Sequence, residues 1–271
     1  MFIKDVLNSD NRISKKEKII ILSHLLNKPN LIIDTKEKIS KDIFLQYKII
    51  SNQYLSGKPL QYIIGKTNFY GYDFIINEKV LIPRFETEEL VEKTISYINS
   101  KFGGKGELID LGCGSGVIGL TIKKECPKIN VTLLDISEDA LKIARLNKQQ
   151  LNVKANIIKG DMLDNITSKY DIIVSNPPYI RLNETIDKLV KENEPHLALY
   201  GGDNGLKYYS QILKKAKDVV KDNFLIALEI GSDQGNKIIK IINEHFSNII
   251  IRIEKDLQNR NRMIFITNKI E

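Results

Sequence analysis

Asn176-Pro177-Pro178-Tyr179 closes the apolar run Tyr170 to Ser175. Each proline removes a backbone donor and sets its own φ, so a strand entering this run stops at a rigid corner. Such a corner presents carbonyl oxygens and one amide side chain where a strand meets the rim of a sheet. Those acceptors suit both hydrogens of a planar NH2 group. That is the geometry for offering an amide or exocyclic amino nitrogen to an electrophile. A Pro-rich turn that only ends a strand reads the same way when it stands alone. Here a second motif lies upstream. Asp110-Leu111-Gly112-Cys113-Gly114-Ser115-Gly116 sits where a strand meets its helix. Glycines there let the backbone approach a ligand, and the helix N-terminus favours negative charge. Asp135 ends the next strand, a position from which a carboxylate can accept hydrogen bonds from both hydroxyls of a ribose.

The glycine loop is ambiguous by itself. Gly114-Ser115-Gly116-Val117-Ile118-Gly119 matches the Gly-x-Gly-x-x-Gly dinucleotide pattern, with Asp135 at nearly the spacing a dehydrogenase needs. Two features favour group transfer instead. Asp110 precedes the glycines, where it could bind a positively charged amino group. A dehydrogenase also has no need of an Asn-Pro-Pro-Tyr corner on a neighbouring strand end. His24, His196 and His245 are dispersed, with no partnering motif for a Ser-His-Asp or metal site. Gly65-Lys66-Thr67 imitates the end of a phosphate-binding P-loop, but Leu60 stands where that motif requires glycine.

The elements that must position these residues follow from the rest of the chain. Its 271 residues suffice for one large domain or a medium domain with a small partner. The longest apolar stretch, Ile19 to Leu26, is short and broken by Ser23 and His24, and no signal-peptide core precedes it, so a cytoplasmic protein without membrane contact is expected. Two cysteines, Cys113 and Cys126, are too few for a disulfide framework or a zinc site; Cys113 reads as a small residue in a turn. The net charge of +7 permits a nucleic-acid partner. The lysines are scattered, however, and no dense basic run forms a groove, so direct nucleic-acid binding is not required.

Residues 1–58 read as a small helical domain. Ser14-Lys15-Lys16-Glu17 predicts a capping box, and a second helix spans about Ser40 to Ser56 before Gly57-Lys58-Pro59. Aromatic runs from Gln61 to Val80 predict a hairpin within a linker of residues 59–85. From residue 86 an acidic helix start, Glu86-Thr87-Glu88-Glu89, leads into alternating strands and helices. Strands are expected at Glu107–Leu111, Val131–Asp135, Asn156–Lys159, Asp171–Ser175 and Phe224–Ile230. Helices are expected at Val117–Lys124, from Ser137 to about Gln150, at Leu206–Lys221 and at Gln234–Phe246. Two final strands, Ile249–Ile253 and Arg262–Thr267, lack a helix between them and should be antiparallel. This rhythm predicts an α/β domain over 86–271 with a doubly wound, mainly parallel sheet. Residues 176 to 204 read as a long irregular loop, a length that usually carries function.

Together these motifs resemble the class I methyltransferases that use S-adenosylmethionine, which implies a seven-stranded sheet. Other stretches narrow the likeness. Gly57-Lys58-Pro59-Leu60-Gln61-Tyr62-Ile63-Ile64-Gly65 and Leu81-Ile82-Pro83-Arg84-Phe85-Glu86-Thr87-Glu88 resemble the protein-glutamine N5-methyltransferases of the PrmC or HemK type, which act on peptide chain release factors. Glu194-Pro195, Ala198-Leu199, Gly201-Gly202, Gly205-Leu206 and Glu229-Ile230-Gly231 with Gln234 are similar to the same family, so the likeness covers nearly the whole chain. Phe85 departs from it, standing where a second proline is usual. The resemblance implies that Asp110, Gly112, Cys113, Gly114, Ser115, Gly116, Asp135, Met162 and Asn176 hold the donor, with S-adenosylhomocysteine as product and no metal. Met162 is equally consistent with plain core packing. The implied substrate is the glutamine of the Gly-Gly-Gln motif of class-1 release factors. On this reading the Asn176 side-chain oxygen and the Pro177 carbonyl accept its two N–H groups and are the catalytic pair, while Pro178 and Tyr179 wall the amide in. The helical residues 1–58 would then recognise the substrate protein. Asn-Pro-Pro-Tyr also occurs in enzymes that methylate amino groups of DNA and RNA. A nucleic-acid substrate therefore stands as the alternative, and it would call for a target-recognition domain or basic channel.

Overall fold

The computed structural model describes residues 1–28 and 34–269. They form two compact units, Met1–Lys66 with Asp187–Asn193, and Thr67–Ile186 with Glu194–Glu271. Among the described residues, no helix is long and apolar enough to cross a membrane.

The first unit contains α1 (Ile3–Leu7), α2 (Lys15–Leu26), α3 (Lys41–Leu55) and α4 (Leu60–Ile64). Ser14 and Glu17 form the expected reciprocal capping box on α2, and the Ser40 hydroxyl caps α3 by accepting from the Ile43 amide. Ile3, Val6, Ile21, Leu22, Ile39, Tyr47 and Leu60 make its core. Gln61–Ile64 departs from expectation, being helical rather than the start of a hairpin. Pro59 sets the turn into α4, Gly65 ends it in the left-handed region, and burial of Leu60 and Tyr62 outweighs the strand preference of Tyr and Ile.

The hairpin is shorter than the sequence suggests, β1 (Lys66–Phe69) and β2 (Tyr72–Ile75), joined by Tyr70-Gly71 with both φ angles positive. Then follow α5 (Phe85–Phe102), β3 (Lys105–Leu111), α6 (Val117–Glu125), β4 (Lys128–Asp135), α7 (Glu138–Gln150), β5 (Asn156–Lys159) and β6 (Tyr170–Ser175). The segment after β6 is not wholly irregular. It supplies α8 (Lys188–Asn193) to the first unit, where the Asn193 amide donates to the Gly57 carbonyl at 3.0 Å. A six-residue helix with no buried side chain of its own leaves no periodic signal in sequence. The chain ends with α9 (Lys207–Val219), β7 (Val220–Glu229), α10 (Gly235–His245), β8 (Ile249–Lys255) and β9 (Asn261–Asn268).

The main sheet has seven strands in the order β5-β4-β3-β6-β7-β9-β8. All neighbours are parallel except β9, which is antiparallel to both β7 and β8. Alternation along the strands divides the core in two. Leu108, Ile172, Val174, Leu225, Ala227, Met263 and Phe265 pack with residues of α5, α6 and α7, whereas Ile109, Ile173, Ile226, Leu228, Ile264 and Ile266 pack with α9 and α10. This is a doubly wound α/β sheet.

A buried side chain on α7 ties the hairpin to the glycine loop. Asn147 is 0% exposed; its oxygen accepts from the Ile75 amide at 2.6 Å, and its nitrogen donates to the Ile75 and Ser115 carbonyls, each at 2.9 Å. Replacing it by alanine removes the partner of three backbone groups at once, one buried and two partly buried. Asn147→Ala is expected to lower unfolding stability by roughly 2–4 kcal/mol, read from urea midpoints. A loss within half a kcal/mol of zero would mean that water takes over these bonds at no cost.

Candidate functional site

The strands meet the rim at one level. Leu111 pairs with Leu134 on one side and Ser175 on the other, and Ser175 pairs with Leu228. One residue further along each strand stand Gly112, Asp135, Asn176 and Glu229. Above this rim lies a cavity of about 240 Å³. Its wall includes Gly112, Cys113, Gly114 and Ser115 from the glycine loop, Asp135, Met162, Asn176 and Pro178. Lys79 to Leu81, Pro83, Arg84 and Thr87 close one side, and Pro195, Leu197, Ala198, Lys207 and Tyr208 another.

Eight of the residues expected from sequence therefore share one wall, and four do not reach it. Asp110 is 0% exposed and turned under α6, where one oxygen accepts from the Gly119 amide at 2.9 Å. Its other oxygen is buried without a hydrogen-bond partner. Burial pushes the Asp110 carboxyl up to about 7, with nearby Asp135 adding to the shift and the Gly119 N–H opposing it. Gly116 caps α6 rather than lining the cavity. Pro177 is buried beneath the corner, and the Tyr179 hydroxyl points to Glu229 at 3.4 Å.

The wall is built to meet a ligand through its backbone. Gly114 has φ +55° and nothing within 4 Å of where a side chain would begin. Its amide donates at 2.8 Å to one Asp135 oxygen, and the Ser137 amide donates at 2.8 Å to the other. Each oxygen thus keeps a lone pair, and the carboxylate is held in one orientation at the cavity. Burial raises the Asp135 carboxyl, and these N–H groups pull it back. The Cys113 thiol is pushed up by burial and by Asp110 and Asp135, so it stays protonated. Met162 reconciles its two readings, because it belongs to the core cluster with Leu134 and Leu163 and also forms part of the wall. Its φ of +46° places it in the left-handed region, a strained conformation for a residue with a side chain.

Asn176 lies in a chain of side chains that sequence alone does not reveal. Its amide nitrogen donates to the Thr87 hydroxyl at 3.2 Å, and that hydroxyl donates to a Glu229 oxygen at 2.6 Å. Among the described residues the Asn176 side-chain oxygen takes no hydrogen bond from the protein. Glu229 is 1% exposed. Burial raises its carboxyl to about 7 and Glu86 adds to that, while Thr87, Arg262 and Tyr179 oppose it. Burial, reinforced by Glu229, also keeps the Tyr179 phenol protonated.

Three further contacts hold the walls. Glu194, 5% exposed, receives the Arg84 guanidinium at 2.6 Å and the Ile82 amide at 3.2 Å, joining segments 110 residues apart. This clamp fixes the start of α5 although Phe85, its first residue, is not proline and is 62% exposed. The Gln234 amide nitrogen donates to the Tyr179 carbonyl at 2.9 Å and the Gly205 carbonyl at 3.3 Å. Gly205, with φ +72°, packs so closely that a Cβ would lie 2.3 Å from the Tyr179 carbonyl oxygen. Of these residues, Glu229 had a visible signal, a charged residue ending the apolar strand Phe224 to Leu228 as Asp135 ends its own. Thr87 had none, since nothing in an acidic helix start marks the residue that faces inward.

The raised carboxyls make stability depend on pH. A carboxyl whose folded pKa lies above its unfolded value stabilises the fold fully below the ordinary carboxylate range, and that contribution is lost as pH rises through the folded pKa. Stability should therefore decline between about pH 4 and pH 7, from the ordinary carboxylate range up to the values near 7 of Asp110 and Glu229. Asp110→Asn should make the decline shallower in urea melts at a series of pH values. Parallel slopes for wild type and variant would show that Asp110 ionises normally in the fold.

With the geometry in place, comparisons with known proteins agree. A family profile described as "Methyltransferase small domain" matches residues 90–240. A release factor glutamine methyltransferase of Streptococcus pneumoniae is 42% identical over 219 residues, covering 80% of this chain and 77% of its own. One of Clostridium acetobutylicum is 39% identical over 256 residues, covering 90% of this chain and 88% of its own. Among solved structures, a methyltransferase from Pyrococcus furiosus superposes with a TM-score of 0.57 at 17% identity, covering 84% of this chain and 99% of its own, and shares the fold. The chain belongs to the release factor glutamine methyltransferases, built on the class I methyltransferase fold.

Proposed function

We propose that this protein transfers the methyl group of S-adenosylmethionine to the side-chain amide nitrogen of the glutamine in the Gly-Gly-Gln motif of class-1 release factors. The observation that carries the reading is the placement of Asn176. Its side chain lies in the same wall as the glycine loop and Asp135, with its nitrogen bound to Thr87 and its oxygen left over.

The residues present fit the donor. Gly112 to Ser115 offer open backbone at the N-terminal end of α6, which suits a carboxylate. The two Asp135 lone pairs suit a pair of ribose hydroxyls, and Met162 with Ile136 suits an adenine ring. Asp110 would act from beneath the loop, by holding the Gly119 amide at the first turn of α6. When bound, the donor supplies an electrophilic sulfonium methyl.

An amide nitrogen is a weak nucleophile because its lone pair is delocalised into the carbonyl. The Asn176 side-chain oxygen accepts an N–H group of the substrate amide, which turns the nitrogen's π face towards the methyl. The S–CH3 bond breaks as the N–C bond forms, S-adenosylhomocysteine departs, and a proton leaves the methylated nitrogen for solvent. No strong base is needed, and catalysis comes from positioning and electrostatics. Pro178 and Tyr179 exclude water at the corner. Residues 1–58 recognise the release factor, 59–85 link, and 86–271 carry the chemistry in the cytoplasm.

Incubation of unmethylated release factor with this protein and S-adenosylmethionine should add one methyl to the Gly-Gly-Gln glutamine, seen by peptide mass spectrometry. No added methyl, with the donor shown to bind, would reject the substrate and turn attention to nucleic acid. Asn176→Ala should lower turnover by about 100-fold or more while weakening donor binding only modestly. Undiminished turnover in that variant would sink the mechanism. Calorimetry should find S-adenosylmethionine, and not NAD, bound by the wild type.

A further inference from the structure

An asparagine presents a carbonyl on one end and an NH2 on the other, and the two ends are almost the same shape. Methyl transfer to an amide nitrogen needs the carbonyl end, since an NH2 facing the substrate's NH2 would repel it. Packing alone discriminates poorly between the two orientations, so some polar neighbour must choose. That neighbour is Thr87, 3% exposed, in the first turn of α5. Its hydroxyl has one hydrogen and two lone pairs. In its ionised form Glu229 is an acceptor only and takes that hydrogen, at 2.6 Å. Only lone pairs are then left for Asn176, and only the NH2 end can meet them, at 3.2 Å.

We propose that Thr87 is a positioning residue that passes the polarity of Glu229 to Asn176, so that the Asn176 oxygen faces the cavity. The inference rests on the methyl-transfer reading above and specifies how that site is set. Glu229 is suited to the task because it cannot turn away. Tyr179 donates to its second oxygen at 3.4 Å, and Tyr209 donates to its backbone carbonyl at 2.8 Å. Arg262, 9% exposed, donates to the Tyr179 hydroxyl and to the Ile230 carbonyl, each at 3.4 Å, and thereby backs Glu229 with positive charge. A hydroxyl released from the carboxylate could donate to the Asn176 oxygen instead, which would reverse the amide.

The test compares Thr87→Val, which keeps the shape and removes the hydroxyl, with Thr87→Ser, which keeps the hydroxyl. Against Gly-Gly-Gln peptide, Thr87→Val should lower kcat roughly 10- to 100-fold, with peptide KM and donor affinity close to wild type. Thr87→Ser should restore kcat to within a few-fold. In the 15N spectrum of the donor-bound protein, the Asn176 side-chain NH2 should shift and exchange faster in Thr87→Val. Unchanged kcat in Thr87→Val would overturn the proposal. A parallel fall in donor affinity and melting temperature, unrelieved in Thr87→Ser, would overturn it in favour of plain packing. If wild-type protein methylates no glutamine, the substrate reading fails by itself and the spectrum decides the relay. A displaced Asn176 signal would then uphold it, and an unmoved one would reject it.

Discussion

Parallel registration of β3 with β4 and β6, and of β6 with β7, is the constraint on which the site depends. Because Leu111 aligns with both Leu134 and Ser175, and Ser175 with Leu228, the residues that follow emerge at one height on one rim. Strand periodicity is two, so a slip of one residue would turn Asn176 and Glu229 to the other face and lose their common partner Thr87. The buried alternation makes such a slip expensive. Ile172 and Val174 would leave the α5 side for the α9 side, and every strand between has its own apolar set on each face.

Buried carboxylates then fix what the sheet has brought together. Asp135 is turned by two backbone amides, Glu194 joins Arg84 to the loop after α8, and Glu229 takes the Thr87 hydroxyl. Burying a charge is costly unless it is paired and hydrogen-bonded, and a broken buried pair typically costs about 3–5 kcal/mol. Each of these acids is more valuable for orientation than for net stability. Glu229 and Asp110 show the cost directly, since both carboxyls are pushed up to about 7 by burial.

The long segment after the Asn-Pro-Pro-Tyr corner works by close approach. Gly201 amide donates to the Ile180 carbonyl at 2.8 Å, and a Cβ on Gly201 would lie 2.5 Å from the Pro178 carbonyl oxygen. Together with Gln234 this segment braces the corner from behind, which frees Asn176 and Pro178 to face the cavity. The prolines make the corner stiff by themselves, but stiffness is not direction, and the brace supplies direction.

Much of this was legible in the chain itself. Alternating apolar strands and capped helices determined an α/β sheet with an antiparallel final pair, and the boundaries of β5 and the Ser14–Glu17 capping box of α2 match the sequence expectation. The glycine run, Asp135 and Asn-Pro-Pro-Tyr marked a common site because glycine, proline and a strand-ending acid each have a local physical meaning. The hairpin began later than expected, since burial of Leu60 and Tyr62 overrode their local preference. Only the tertiary structure decided which neighbours orient the site. Thr87 and Glu229 are 142 residues apart, and Arg84 and Glu194 are 110 apart. Local chemistry says what a side chain can donate or accept, but its partner is chosen by sheet order and register, which no single stretch of sequence contains.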